Sequence, residues 1–210
     1  ADEVKPLKTK KLEEIHAVSV GWIDNDICNI SETIKFLCGQ NIFVHIFLSN
    51  KMMLKKVPYL KELKKIYPNY LIIKTGVFGD ELKNEISKYH LGISPHQTHE
   101  TYEKLHYKSS YYANCSSNRV VDFISYDLVN LTSKKYIYTN HIINKFGGKK
   151  IFYEDFFLYK DNLKKIIKSK YDNNKDNNKY QKNKNFFNDE LKSLKLLNFI
   201  KSNFKNNLPV

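Results

Sequence analysis

The sequence has few of the residues that mark the common classes of protein site. Its three cysteines, Cys28, Cys38 and Cys115, show no metal-binding spacing and cannot all pair, so reduced thiols in a cytoplasmic protein are the simplest interpretation. No apolar run is long enough to cross a bilayer, and we expect neither a membrane span nor a signal peptide in these residues. The expected location is therefore cytoplasmic.

The glycine- and histidine-based motifs of several enzyme classes are also absent. There is no GxxxxGK[ST] or GxGxxG sequence, which disfavours P-loop NTPases and dinucleotide oxidoreductases, and no GxSxG or HExxH sequence. His96, His99 and His106 lie close together, but no cysteine or carboxylate pattern completes a site around them. We predict no metal and no cofactor.

Acidic residues are outnumbered, with 22 Asp and Glu against 35 Lys and Arg and a formal net charge of +13. Two explanations remain open. The lysines are solvated helix faces in a protein whose composition reflects an AT-rich genome, or they form an electrostatic surface for an anionic partner. Aromatic residues do not alternate with the basic ones in a stripe, and no nucleic-acid-binding motif is present. We therefore expect no specific nucleic-acid partner.

Apolar runs alternate with amphipathic segments along most of the chain. Strands are predicted at 17–23, 42–48, 70–75, 91–95, 129–131 and 150–153, and helices at 31–39, 57–67, 80–89, 118–128 and 154–170. This alternation predicts an α/β fold with an open parallel sheet and helices on both faces. We expect a lead-in at 1–16, one domain at 17–170 and an Asn/Lys-rich linker at 171–187.

The last predicted element is an amphipathic helix at 188–210. It has three interpretations: it docks on the domain, it packs on a second domain outside these residues, or it lies on a membrane surface with its lysines directed to water. The third would make the protein peripheral to a membrane.

The segment 116–133 carries the strongest functional signal. Ser117 or Asn118 can cap a helix whose first turns hold Arg119 and Asp122. A helix start has unpaired N–H groups and partial positive charge, and the only arginine of the chain can bind phosphate bidentately. The alternative is that Arg119 and Asp122 form an ordinary surface pair.

Other candidates are the residues that follow the predicted strands, because ligands of open parallel sheets bind beyond the carboxyl ends of the strands. Each has a plainer interpretation as a turn residue or a solvated lysine. These candidates are Gly21, Trp22, Lys51, Gly76 and Val77.

The order of these segments resembles the C-terminal, donor-binding half of a GT-B fold glycosyltransferase, similar to family 4. The likeness covers residues 17–168. It includes VSVGW at 18–22, IIKTGV at 72–77, LGISP at 91–95 and NRVVDFISYDLVN at 118–130. Two positions depart from the family pattern: Asp127-Leu128 replaces the usual Gly-Pro, and the basic pair after the first strand is missing.

The resemblance implies a Rossmann-like domain that binds a nucleotide sugar such as a UDP-sugar and transfers the sugar without a metal. It implies that Asp122 binds the ribose, Arg119 and the helix amides hold the diphosphate, and Val77 lies near the base. Gly21 would admit the phosphates, and His96, Glu100 or Glu103 would contact the sugar.

The resemblance assigns no catalytic residue. It implies an unknown acceptor and an N-terminal acceptor-binding domain that these residues do not contain. The alternatives are a non-catalytic Rossmann-like binding module, associated with nucleic acid through its charge, and a sugar-nucleotide epimerase.

Overall fold

The fold was obtained as a computed structural model, which describes residues 11–21, 23, 30–94 and 118–172; side chains are not described for Asn118 and Asp172. The strands are β1 His16–Val20, β2 Phe43–Leu48, β3 Leu71–Thr75, β4 Leu91–Ile93, β5 Val129–Thr132 and β6 Lys149–Phe152. The helices are α1 Ile30–Gly39, α2 Lys51–Lys56, α3 Tyr59–Ile66, α4 Gly79–Ile86, α5 Asn118–Ser125, α6 Ile137–Lys145, α7 Tyr153–Phe156 and α8 Leu163–Asp172, with a 3₁₀ turn at Phe157–Tyr159.

The six strands described form one parallel sheet in the order β3-β2-β1-β4-β5-β6. The chain builds the sheet outward from β1 through β3, returns to the middle with β4 and then builds outward in the other direction. The predicted Rossmann-like α/β fold is confirmed. The order reverses between β1 and β4, and this point of reversal is where such sheets bind ligands.

Both faces of the sheet are covered, which explains the near-continuous apolar runs of its central strands. The front face packs Val44, Ile46 and Leu91 against α1, α3 and α8. The back face packs Val18 and Phe47 against α4 and α5.

Helix α5 lies unusually close to the back face because β4 has a glycine there. A Cβ at Gly92 would overlap the Phe123 ring, so the ring rests directly on the strand. Val120, Phe123 and Ile124 are buried, while Val121 is only half-buried. The spacing of Val120, Val121, Ile124 and Leu128 predicts an inward-facing stripe, and the structure buries Phe123 in it while leaving Val121 half-buried.

The turn at Asp127, where the resemblance led us to expect glycine, is stabilised by the aspartate itself. Asp127 has a φ of 57°, a left-handed conformation that Asp tolerates better than most residues. Its carboxylate binds the buried Lys149 Nζ at 2.9 Å. The side chain thus adds an ion pair at a turn where glycine would add nothing.

Several predicted elements differ in detail. Asp80 lies in the first turn of α4, and the N-cap position is Phe78, without a side-chain cap. The helix predicted at 154–170 is interrupted after the 3₁₀ turn and resumes as α8. Helices α2 and α6 were not predicted, and α5 ends at Ser125 rather than 128.

The last residues of the predicted lead-in pack on the domain. Lys11 Nζ donates to the carbonyl oxygens of Ser87 and Tyr126 at 2.9 and 2.8 Å, and Ile15 is buried. At the other end, Tyr171 donates its hydroxyl to the carbonyl of His90. Most of the predicted linker and the helix at 188–210 lie outside the described residues.

Candidate functional site

The carboxyl end of β1, where the strand order reverses, is covered by Arg119 from the first turn of α5. A Cβ built on Gly21 would lie 3.1 Å from Arg119 Nη2, so the guanidinium rests against the glycine backbone. Gly21 has a φ of +83°, and its N–H donates to the Phe47 carbonyl at 2.8 Å. The structure therefore brings together two residues that the sequence singled out separately.

Asp122 lies one turn further along α5 and is exposed. Its neighbour Tyr126 has a pKa raised to about 12, first by burial and then by the negative charges of Asp122 and Asp80. The negative charges of Asp122 on α5 and Asp80 on α4 therefore both act on the Tyr126 hydroxyl. Asp122 is accessible from solvent on the same helix that carries Arg119.

The remaining candidates in the described part of the chain lie at the ends of β2 and β3. Lys51 is exposed and begins α2, whose N-cap Asn50 accepts a hydrogen bond from Met53 N–H at 3.0 Å. Gly76 is exposed with a φ of +73°, and Val77 packs partly against the back-face cluster. All three stand at the same edge of the sheet as Gly21.

The other predicted residues cannot be placed. Asn118 begins α5, but its side chain is not described. The following residues lie outside the described ranges: Trp22, Cys28, His96, His99, Glu100, Glu103, His106, Cys115 and Ser117. Their suggested roles stay predictions.

Three buried hydroxyls at the carboxyl ends of the central strands were missed as a group. Ser19 in β1, Ser94 after β4 and Thr132 in β5 have hydroxyl oxygens without a hydrogen-bond partner within the described residues. A buried hydroxyl left without a partner costs about 1–3 kcal/mol, which water or a ligand can recover. The signal in the sequence was a hydroxyl residue within an apolar run.

Neither metal ligation nor membrane crossing is found in the described ranges. No group of three or more His, Cys, Asp or Glu side chains there could hold a metal ion. No helix in those ranges combines the length and apolarity that a membrane span requires.

Comparison with known proteins gives partial likenesses in structure alone. No family model matches the sequence, and no curated protein matches it significantly. Solved structures similar to the chain include AviGT4, a glycosyltransferase involved in avilamycin A biosynthesis, with 9% identity and a TM-score of 0.47. WaaG, a glycosyltransferase involved in lipopolysaccharide biosynthesis, has 14% identity and a TM-score of 0.46. The glycosyltransferase GlyE of Streptococcus pneumoniae TIGR4 has 10% identity and a TM-score of 0.38.

The matched regions cover 78%, 75% and 80% of this chain but only 43%, 39% and 34% of those proteins. The chain thus spans less than half the length of each. At these values the likeness carries no argument for a shared activity.

Chemically, the carboxyl edge between β1 and β4 has the elements of an anion site. A permanently charged guanidinium lies against the backbone of a glycine, beside the first turn of a helix. A carboxylate one turn away can accept hydrogen bonds from hydroxyl groups.

Proposed function

We propose that the chain is the donor-binding half of a GT-B type glycosyltransferase and binds a nucleotide sugar at the carboxyl edge of β1 and β4. The observation that carries the proposal is the contact of Arg119 with Gly21 at the point where the strand order reverses. A guanidinium at that position suits the diphosphate, which is the most charged part of such a donor.

The proposed division of roles is the one that the resemblance to GT-B glycosyltransferases implies for the residues at this edge. Arg119 and the first amides of α5 hold the diphosphate, and Gly21 admits it close to the backbone. Asp122 accepts hydrogen bonds from the ribose hydroxyls, and Val77 contacts the base. By stabilising the departing nucleoside diphosphate with positive charge, this half of the enzyme lowers the barrier to sugar transfer without a metal.

The experiment is isothermal titration of the chain with UDP, GDP and CDP and their sugar conjugates. The wild-type protein should bind at least one nucleoside diphosphate. Arg119→Ala should weaken binding about 10- to 100-fold, because a charge-assisted hydrogen bond contributes about 1.5–3 kcal/mol. Arg119→Lys should recover part of the loss but not all, since an ammonium cannot bind bidentately.

Lys61→Ala is the matched control, because it removes one positive charge from an exposed position on α3. It should leave affinity within about twofold of wild type, as expected for a screened surface charge. If Lys61→Ala and Arg119→Ala weaken nucleotide binding equally, the loss of affinity reflects net charge and not a specific contact of Arg119. Absence of binding to every nucleotide tested would reject the proposed function.

A further inference from the structure

The opposite, amino end of the sheet contains a chain of hydrogen bonds that the proposed function does not use. His16 Nδ1 lies 2.8 Å from His45 Nε2, and His45 Nδ1 lies 3.0 Å from the Tyr89 hydroxyl. The rings of His45 and Tyr89 stack with their centroids 4.3 Å apart. His45 and Tyr89 are 7% and 1% exposed, so water cannot substitute freely for these contacts.

The carboxylate of Glu85 sets the direction of this chain. Glu85 Oε1 accepts from the Tyr89 hydroxyl at 2.8 Å and from Lys74 Nζ at 2.6 Å. Because Tyr89 donates its one proton to Glu85, its oxygen must accept from His45 Nδ1–H. His45 Nε2 is then an acceptor, and the neighbouring His16 Nδ1–H donates to it.

This pair of histidines can hold one extra proton without losing its hydrogen bond, but it cannot hold two. With one added proton, the charged ring donates to the neutral one. With two, both facing nitrogens carry hydrogens, and the 2.8 Å contact between His16 and His45 becomes repulsive. Even the first proton places a positive charge among buried rings.

At the junction of β1 and β4, a third histidine also needs an unprotonated ring nitrogen to accept a hydrogen bond. The backbone N–H of His16 donates to His90 Nδ1 at 3.2 Å, and the backbone N–H of His90 donates to the His16 carbonyl at 2.9 Å. Nδ1 of His90 must therefore be unprotonated. A proton there would direct two N–H groups at each other.

We propose that His16, His45 and His90 form an acid-sensitive latch that holds the C-terminal end of α4 and Tyr89 against β1 and β2 and releases them when protonated. The latch joins α4 to the sheet through Tyr89 and Glu85. Val77 and Leu82 pack partly against the cluster that contains Ile86 and Tyr89. Release therefore loosens the turn before α4 as well as its end.

Burial and the nearby lysines favour the neutral histidines, whereas Glu14 and Glu85 favour the charged form of His16 and Glu85 favours that of His45. Burial lowers the pKa of His45 to about 3, and the positive charges of His16 and Lys74 add to this effect. Burial likewise lowers the pKa of His90 to about 4 and lowers that of the half-buried His16. The charged groups that act on the three rings are Lys11 and Glu14 before β1, Lys74 on β3, Glu85 on α4 and Lys168 on α8, and Lys88 pairs with Glu85 at 3.1 Å.

The sign of the pH dependence follows from these directions. A histidine whose pKa is lower in the folded state contributes its full stability above pH 6.5, and the contribution is lost as the pH falls toward the folded value. As the pH falls from 7 to 5, protonation of His45 and of His90 in the unfolded state should each raise the unfolding equilibrium constant about 20-fold.

The test is hydrogen exchange by mass spectrometry on the full chain from pH 7.5 to 4.5, corrected for intrinsic exchange rates. Peptides covering 76–90 should lose protection below about pH 6, before peptides of α3 do. His45→Phe keeps a ring against Tyr89 but cannot titrate. The number of protons taken up on unfolding near pH 5, given by the slope of the unfolding free energy against pH, should therefore fall by about one. His141→Phe, at an exposed position of α6, is the matched control for the removal of a histidine.

Tyr89→Phe provides a second variant if His45→Phe does not fold. It keeps the ring but leaves His45 Nδ1–H without its acceptor, so the 76–90 peptides should exchange at least about tenfold faster at pH 7.5. The proposal is overturned if 76–90 stays as protected as α3 at pH 4.5. It is also overturned if His45→Phe and His141→Phe have the same proton uptake as wild type.

Discussion

Gly92 fixes the distance between β4 and α5, and replacing it with alanine tests that packing directly. The new Cβ would lie under 3.0 Å from three atoms of the buried Phe123 ring. Overpacking of this kind costs about 1–3 kcal/mol. Removing a strand glycine would otherwise gain about 0.5–1 kcal/mol, so a measured loss understates the steric penalty. Urea unfolding monitored by circular dichroism gives the free energy of unfolding.

A double-mutant cycle identifies the cause of the loss. Phe123→Ala removes the ring atoms that the new Cβ would meet, so Gly92→Ala should cost at least about 1 kcal/mol less in the Phe123→Ala background. Gly39→Ala is the control, because a Cβ there would meet nothing within 4 Å and Gly39 lies in α1. It should be neutral or stabilising. A Gly92→Ala protein as stable as wild type, or identical costs in both backgrounds, would refute the packing described.

Two further predictions concern buried polar chemistry. Asp127→Asn should lower the free energy of unfolding at pH 7 by about 1–3 kcal/mol, since it leaves the buried Lys149 ammonium without its counter-charge. Burial lowers the pKa of Lys149, so the deficit should shrink as the pH rises and the amine loses its proton; a deficit that is unchanged with rising pH would contradict this. Burial raises the pKa of the Cys38 thiol to about 12, so a thiol reagent should modify Cys38 only after unfolding. Peptide mass spectrometry separates Cys38 from the other two cysteines, and rapid labelling of native Cys38 would be the opposing result.

The strands were predictable wherever burial on both faces imposes a continuous apolar run. Residues 42–48 and 70–75 were predicted as strands and correspond closely to β2 and β3. Helix α6 was not predicted because it buries only Thr139 and Ile143, too few to produce an apolar stripe. The interruption between α7 and α8 carries no glycine or proline, so composition alone did not reveal it.

The candidate site was partly predictable for a similar reason. The isolated arginine and the helix start at 118 are local signals, whereas the contact of Arg119 with Gly21 depends on how the sheet is assembled. The latch was missed because His16 and His45 belong to separate strands, and their pairing depends on sheet register. Sequence patterns favour histidines that are close along the chain, such as His96, His99 and His106.

The proposed donor site requires that a nucleoside diphosphate bind at the carboxyl edge between β1 and β4. Amide chemical-shift mapping of the labelled chain during a titration with UDP or GDP tests it most directly. Binding at this edge should give saturable shifts centred on Gly21, Gly76 and residues 119–122, with little change at His16, His45 or His90. Shifts confined to the amino end of the sheet, or spread evenly over the lysine-rich surface, would contradict it.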